Sequence, residues 1–128
     1  MIDNAPDCYV MSSRVHGMGL YAGKNFVKGE VLLDMTPYRK EFYKIRYDQL
    51  NEYQISRNWY IQIDDENCLT FDRFSKFGYL NHSRNPSADW LVDEYLIIAK
   101  KHIKQNEEIT VDYRLEQKPT RKNWPDWI

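Results

Sequence analysis

Short apolar runs, each about the length of a strand, are separated by glycine and charged turns along this chain. Val10 to Phe26 is rich in β-forming residues around Gly17, Gly19 and Gly23, which predicts a short strand, a glycine turn and a returning strand. Lys28-Gly29-Glu30 is a turn before the apolar strand Val31-Leu32-Leu33, and Pro37 ends that element. From Arg39 to Asn58 the chain is polar and tolerates helix, with Phe42/Ile45 and Leu50/Tyr53 at i,i+3 spacing, so one or two short helices are predicted there. Trp59 to Ile63 alternates as a strand, and Asp64-Asp65-Glu66-Asn67 turns it into a second strand over Cys68 to Phe71. Tyr95 to Ala99 is a continuous apolar run that predicts a buried strand. Gln105-Asn106-Glu107 then turns the chain into a last strand, Glu108 to Val111. Lys118 to Ile128 is polar, contains Pro119 and Pro125, and carries two tryptophans. The pattern is mostly β with minor α, and on ordinary grounds such a chain builds a small barrel or sandwich.

Composition narrows this without deciding it. At 128 residues the chain is expected to be a single domain, 1–128, large enough for one core. Ten Tyr and four Trp can bury large areas while keeping polar tips available. A formal net charge of −1 offers no global basic field, so direct nucleic-acid binding is not expected. Cys8 and Cys68 form no Cys-x-x-Cys pair, and His16, His82 and His102 are scattered. A structural zinc needs about four ligands, so no metal is expected. The chain shows no signal peptide or transmembrane run. The expectation is therefore a reduced intracellular protein with no membrane contact, cytoplasmic or, in a eukaryotic host, nuclear.

Three short segments carry candidate chemistry. In Gly17-Met18-Gly19, two glycines one residue apart permit positive φ and let backbone amides approach a ligand without interference from Cβ. Neither a third glycine nor a helix follows, so this is not a dinucleotide fingerprint, and taken alone it fits an ordinary hairpin turn equally well. Asn81 and His82 follow the apolar lead-in Phe77-Gly78-Tyr79-Leu80. Buried side chains of these types need several hydrogen-bond partners, which suits a structural corner as well as a ligand site. The third segment is Glu107-Glu108-Ile109-Thr110-Val111-Asp112-Tyr113, whose last residue lies 31 positions beyond His82 (113 − 82).

In order and spacing, Gly17-Met18-Gly19-Leu20-Tyr21-Ala22, Tyr79-Leu80-Asn81-His82-Ser83 and Glu107 to Tyr113 together resemble a SET domain. The resemblance implies a core over about residues 8–114, built of several small sheets around a C-terminal pseudoknot in a β-clip-like arrangement. It also implies an enzyme that transfers a methyl group from S-adenosyl-L-methionine to a lysine side chain of a protein substrate. By the same resemblance Tyr113 is the catalytic tyrosine. The cofactor would be bound by His16, Gly17, Met18, Gly19, Asn81, His82 and Tyr113, with Trp124 of the tail, or Trp127, closing over the adenine. Tyr60 and Trp90 stand near the positions of the aromatic walls of the substrate-lysine channel. Residues 115–128 resemble a zinc-free version of the segment that follows many such domains, and residues 39–58 would border the substrate groove.

The chain departs from the family pattern at Arg84, where many members carry a zinc-binding cysteine after Asn-His-Ser. Ser87 stands in place of the usual asparagine, and Asn106 in place of a glycine before the last motif. Asn106 tolerates left-handed backbone geometry, so the turn should survive. Two other readings stay open at this level: a non-catalytic SET-like module that binds a protein partner, and a methyltransferase acting on something other than lysine. A homodimer is compatible with all of them.

Overall fold

In the computed structural model, the described residues are 4–52, 60–62, 64, 66–72 and 75–113. Among these residues ten short strands form three small sheets, joined in part by turns of the tight 3-10 kind. The first sheet holds β1 (Cys8–Ser12), β2 (Met18–Ala22), β10 (Glu108–Val111) and β7 (Asn81–His82), in the order β1-β2-β10-β7. The second holds β3 (Val31–Asp34), β9 (Leu96–Ala99) and β8 (Ala88–Leu91), and the third β4 (Tyr43–Arg46), β6 (Asn67–Thr70) and β5 (Tyr60–Gln62). No helix among the described residues is long and apolar enough to cross a membrane.

The glycine-centred hairpin forms as the pattern predicts. Gly17 takes φ +48, and its carbonyl accepts the Ser13 N–H at 2.7 Å, closing the turn between β1 and β2. Asn106 takes φ +73 and completes the turn into β10. In β3 both Leu32 and Leu33 are buried, which a strict alternation forbids, and a register irregularity between Val31 and Leu33 permits it. Tyr95 lies outside β9, at φ +59, and within that strand Ile97 and Ala99 face the core.

Within 39–50 the structure corrects the one or two short helices predicted over 39–58. Thr36–Glu41 is a 3-10 turn, Tyr43–Arg46 is a strand paired with β6, and Tyr47–Gln49 is a second 3-10 turn. The i,i+3 spacing of Phe42 and Ile45 lost to cross-strand partners. Phe42 stacks on Phe71 at 4.4 Å, the Tyr43 hydroxyl donates to Asp72 at 2.7 Å, and the Tyr47 N–H donates to the Glu66 carbonyl at 2.7 Å. A short amphipathic stretch gains more from such pairing than from an isolated helix, whose nucleation is costly. The later part of the predicted helix, 53–58, lies outside the described residues.

One core cluster runs between the sheets through Leu20, Phe26, Leu33, Phe71, Ile97, Ile103, Ile109 and Val111. Each fully buried Leu, Ile or Phe stabilises by about 1.5–3 kcal/mol relative to exposure. β10 contributes Ile109, Thr110 and Val111, three buried residues in succession, because it is covered on both faces and flanked on both edges. It runs antiparallel to β2, with Ile109 opposite Leu20, and parallel to β7, with Thr110 opposite Asn81 and Val111 opposite His82. This central strand brings the three sequence motifs to one place.

Candidate functional site

Ser13, on the approach to the glycine turn, folds its hydroxyl under the loop. Its Oγ accepts the N–H of Val15 at 2.9 Å and that of His16 at 3.4 Å. The side chains of His16 and Met18 point away from the core and are exposed. Their backbone carbonyls are fixed from below by Asn81, whose Nδ2 donates to His16 O at 3.1 Å and to Met18 O at 3.0 Å. Asn81 is itself buried, so this amide is positioned by the β7–β10 pairing rather than by solvent.

The two glycines of the turn differ physically. A Cβ on Gly17 would meet nothing within 4 Å, so one side of the turn is open to approach. A Cβ on Gly19 would fall 2.9 Å from Glu108 Cδ and 3.1 Å from Ser13 Cβ. Gly17 is therefore a glycine for its positive φ and its open face, and Gly19 for the side chains packed beneath it. Beside them the Tyr21 hydroxyl donates to Ser12 O at 2.8 Å, and partial desolvation together with the Glu108 carboxylate pushes this phenol above its ordinary value.

The second and third motifs meet through His82. Its Nδ1 accepts the backbone N–H of Tyr113 at 3.1 Å. A nitrogen that accepts an N–H carries no proton, so the neutral ring holds its hydrogen on Nε2. Asp112 Oδ1 lies 3.8 Å from that same Nδ1, and both side chains are almost wholly buried. The Tyr113 ring leans over the His82 ring at 5.2 Å, and its hydroxyl donates to Leu80 O at 2.6 Å. Tyr113 is thus held at three points: its amide, its ring and its hydroxyl.

Of the residues singled out from sequence, the structure gathers His16, Gly17, Met18, Gly19, Asn81, His82 and Tyr113 around the β2-β10-β7 edge. Tyr60 and Trp90 stand on the other two sheets. Tyr60 is on β5, edge to face with Tyr47 at 5.8 Å. Trp90 is on β8, buried against Phe77 at 5.7 Å, and its Nε1 is enclosed with no acceptor among the described residues. Trp124 and the rest of the 115–128 tail lie outside the described residues. No group of three or more His, Cys, Asp or Glu among the described residues is placed to hold a metal ion.

Ser87 makes polar support contacts where the asparagine of the family pattern is missing. Its hydroxyl donates to Glu108 O at 3.3 Å and accepts the Thr110 N–H at 3.1 Å, clamping β10 to the segment before β8. Two further residues had no role assigned from sequence, Ser13 and Glu108. A serine two residues before the amide it accepts is a recognisable turn signal, and it was available in Ser12-Ser13-Arg14-Val15.

A family model for the SET domain matches residues 17–114. The H3 lysine-4 specific histone-lysine N-methyltransferase of Chaetomium globosum is 28% identical over 116 residues, covering 82% of this chain and 11% of its own length. Histone-lysine N-methyltransferase TRX1 of Oryza sativa is 31% identical over 112 residues, covering 80% of this chain and 11% of its own. Histone H3-lysine(4) N-trimethyltransferase ATX1 of Arabidopsis thaliana is also 31% identical over 112 residues, covering 80% and 10%. The chain therefore spans no more than 11% of the length of these relatives. A solved structure of a candidate histone methyltransferase from Plasmodium falciparum superposes with a TM-score of 0.55 at 16% identity, covering 84% of this chain and 92% of that one. At that identity the likeness is one of fold.

Proposed function

Because the chain belongs to the SET-domain family, we propose that it is an S-adenosylmethionine-dependent protein-lysine methyltransferase with Tyr113 at its reacting centre. One observation carries this reading. Asn81 reaches the glycine turn 65 residues earlier in sequence while its neighbour His82 holds the Tyr113 amide 31 residues later, so three distant motifs share one assembly.

The residues fit the cofactor in one testable respect: Gly17 offers an open face where any larger residue would place a Cβ. The backbone of 16–19 would seat the methionine end there, with Asn81 and His82 beneath it. When bound there, the cofactor would supply a sulfonium methyl to the lysine nitrogen, a new N–C bond replacing the S–C bond whose electrons would stay on sulfur, with the surplus proton lost to solvent. A lysine in water has a pKa of about 10.4 and is mostly protonated. Exclusion from water and a neighbouring positive charge both favour the neutral amine the reaction needs.

Tyr113 supports the alignment of that amine. Its hydroxyl hydrogen is committed to Leu80 O, which leaves the oxygen to act as an acceptor. Accepting an N–H from the incoming amine would turn the nitrogen lone pair toward the methyl group. Orientation of this kind can be worth up to roughly 7–11 kcal/mol of barrier. His82 does not touch the reacting atoms in this reading and acts by fixing the Tyr113 backbone. Tyr60 and Trp90 remain the proposed channel walls, the substrate a lysine-containing protein segment. Histone tails are the first substrates to try, because the similar proteins are named for them.

Two measurements test the proposal. Calorimetry with S-adenosylmethionine should show saturable binding, and methyl transfer from labelled cofactor into a protein extract should label lysines on peptide mapping. No heat at millimolar cofactor would sink the reading. Binding without any transfer would leave a cofactor-holding module instead of an enzyme, and label on another residue type would change the substrate class.

A further inference from the structure

Glu108 lies on β10 directly under the glycine turn, and the activity proposed above gives its side chain no role. It is half-buried, opposite Tyr21 in the β2–β10 ladder. Ser13 Oγ donates to its Oε1 at 2.5 Å, and Asn81 Nδ2 lies 3.3 Å from its Oε2. The same two partners shape the loop. Ser13 accepts the amides of Val15 and His16, and Asn81 donates to the carbonyls of His16 and Met18.

Donor counting gives the carboxylate its role. A serine hydroxyl has one hydrogen, and with that hydrogen on Glu108 its oxygen is left as an acceptor for the loop amides. The Asn81 amide has two hydrogens, drawn toward three oxygens that all lie above or beside it. An ionised carboxylate accepts and never donates, so it polarises both partners in the sense the loop requires. The steric record agrees: a Cβ at Gly19 would press on Glu108 Cδ and Ser13 Cβ and would have to displace them. Four residues along the same chain stands Asp112, and next to it Tyr113.

We infer that Glu108 is a positioning residue: through Ser13 and Asn81 its carboxylate sets the shape of the glycine turn and ties it to β10, the strand that leads to Tyr113. This rests on reading that turn as the seat of the cofactor's methionine end. Glutamine at 108 could still accept from Ser13, but its amide hydrogens would then face those of Asn81, donor against donor. Alanine loses both contacts.

The test compares the full chain with Ser13→Ala, Glu108→Gln, Glu108→Ala and the Ser13→Ala/Glu108→Ala pair, using S-adenosylmethionine itself as the probe. Hydrogen bonds to a charged group of this kind translate into weakening of roughly tenfold or more. The expected result is a rise of that size in the calorimetric Kd and in the cofactor KM for Ser13→Ala and Glu108→Gln, and a larger rise for Glu108→Ala. Turnover at saturating cofactor should fall by less than the KM rises, a split that general destabilisation would not produce. The double variant should be no worse than Glu108→Ala, because both changes break one relay. A wild-type chain that binds no cofactor would remove the functional reading and the inference together. If the wild type binds while Glu108→Ala binds equally well, or if the effects of the two changes simply add, the inference alone is overturned. The two conservative single variants keep the test informative if Glu108→Ala fails to fold.

Discussion

Replacing Tyr113 by phenylalanine separates structure from chemistry, because the hydroxyl has one visible structural duty and one proposed catalytic one. The structural duty is the 2.6 Å bond to Leu80 O. Leu80 is buried, so its carbonyl would lose a partner in a place where water does not readily replace it. Such a loss costs about 1–3 kcal/mol. The ring would stay against His82, and the Tyr113 amide would keep its bond to His82 Nδ1, so little packing is lost. Against a typical stability of about 5–15 kcal/mol the variant stays folded. Its melting temperature should drop by a few degrees, at about 2–8 °C per kcal/mol for domains of this size range. The catalytic duty is larger. Removing one preorganised polar group that acts only in the transition state lowers turnover by about 10²–10³-fold. Initial rates with labelled methyl donor, a thermal melt and cofactor calorimetry on the same preparation measure the three quantities separately. The expected outcome is a small loss of stability, an almost unchanged Kd and a turnover about a hundredfold lower or worse. Turnover within a few-fold of wild type would show that Tyr113 only closes the fold through Leu80, and Tyr60 would be the next tyrosine to try.

Further outcomes follow from four single positions. Gly17→Ala should cost about 1–2 kcal/mol of stability through its left-handed backbone alone, whereas Gly19→Ala should displace Glu108 and weaken cofactor binding, which melts and calorimetry on both variants will separate. Trp90→Phe should destabilise by less than the ~3–5 kcal/mol of a full Trp truncation, because the buried N–H it removes has no acceptor among the described residues. Mass spectrometry of the product should show a changed number of methyl groups with transfer retained, and an unchanged distribution would remove Trp90 from the channel. Asp64 accepts from the Asn67 side chain and from the amides of Glu66 and Asn67, which hold its carboxyl below the ordinary value of 3.8. A folded pKa below the unfolded one adds stability above 3.8 that disappears as pH falls through the folded value, so the deficit of Asp64→Asn in denaturant melts should be present at neutral pH and vanish in strong acid. A deficit that persists there would mean the turn is held by shape and not by charge.

The parts of the site that were legible in the sequence are those whose chemistry is local. A positive-φ glycine turn, a left-handed Asn106 and a strand with a hairpin partner a few residues away each leave a mark in consecutive residues. The β7–β10 pairing leaves none, because Asn81–His82 is two residues long and its partner strand begins 27 positions later (108 − 81). Only the likeness of three separated motifs to one family pointed to their meeting. Strand β8 escaped notice for a related reason: Ala88, Asp89 and Trp90 have no common β-forming character, and their pairing with Ala99, Ile98 and Ile97 decides their state. Over Tyr43–Arg46 the helical pattern misled in the opposite direction, since a true i,i+3 spacing was overruled by partners on β6. Glu108 sharpens the distinction. It stands in the last motif, yet nothing in that motif says which donors it faces. The answer lies in Ser13, 95 residues away, and in a glycine whose missing Cβ leaves room for the carboxylate. A motif records which residues the chemistry requires, and the sheet register decides which of them act on one another. For this reason the relay from Glu108 to the glycine turn is a claim about this chain's own geometry, and variants at Ser13 and Glu108 test it independently of the reaction at Tyr113.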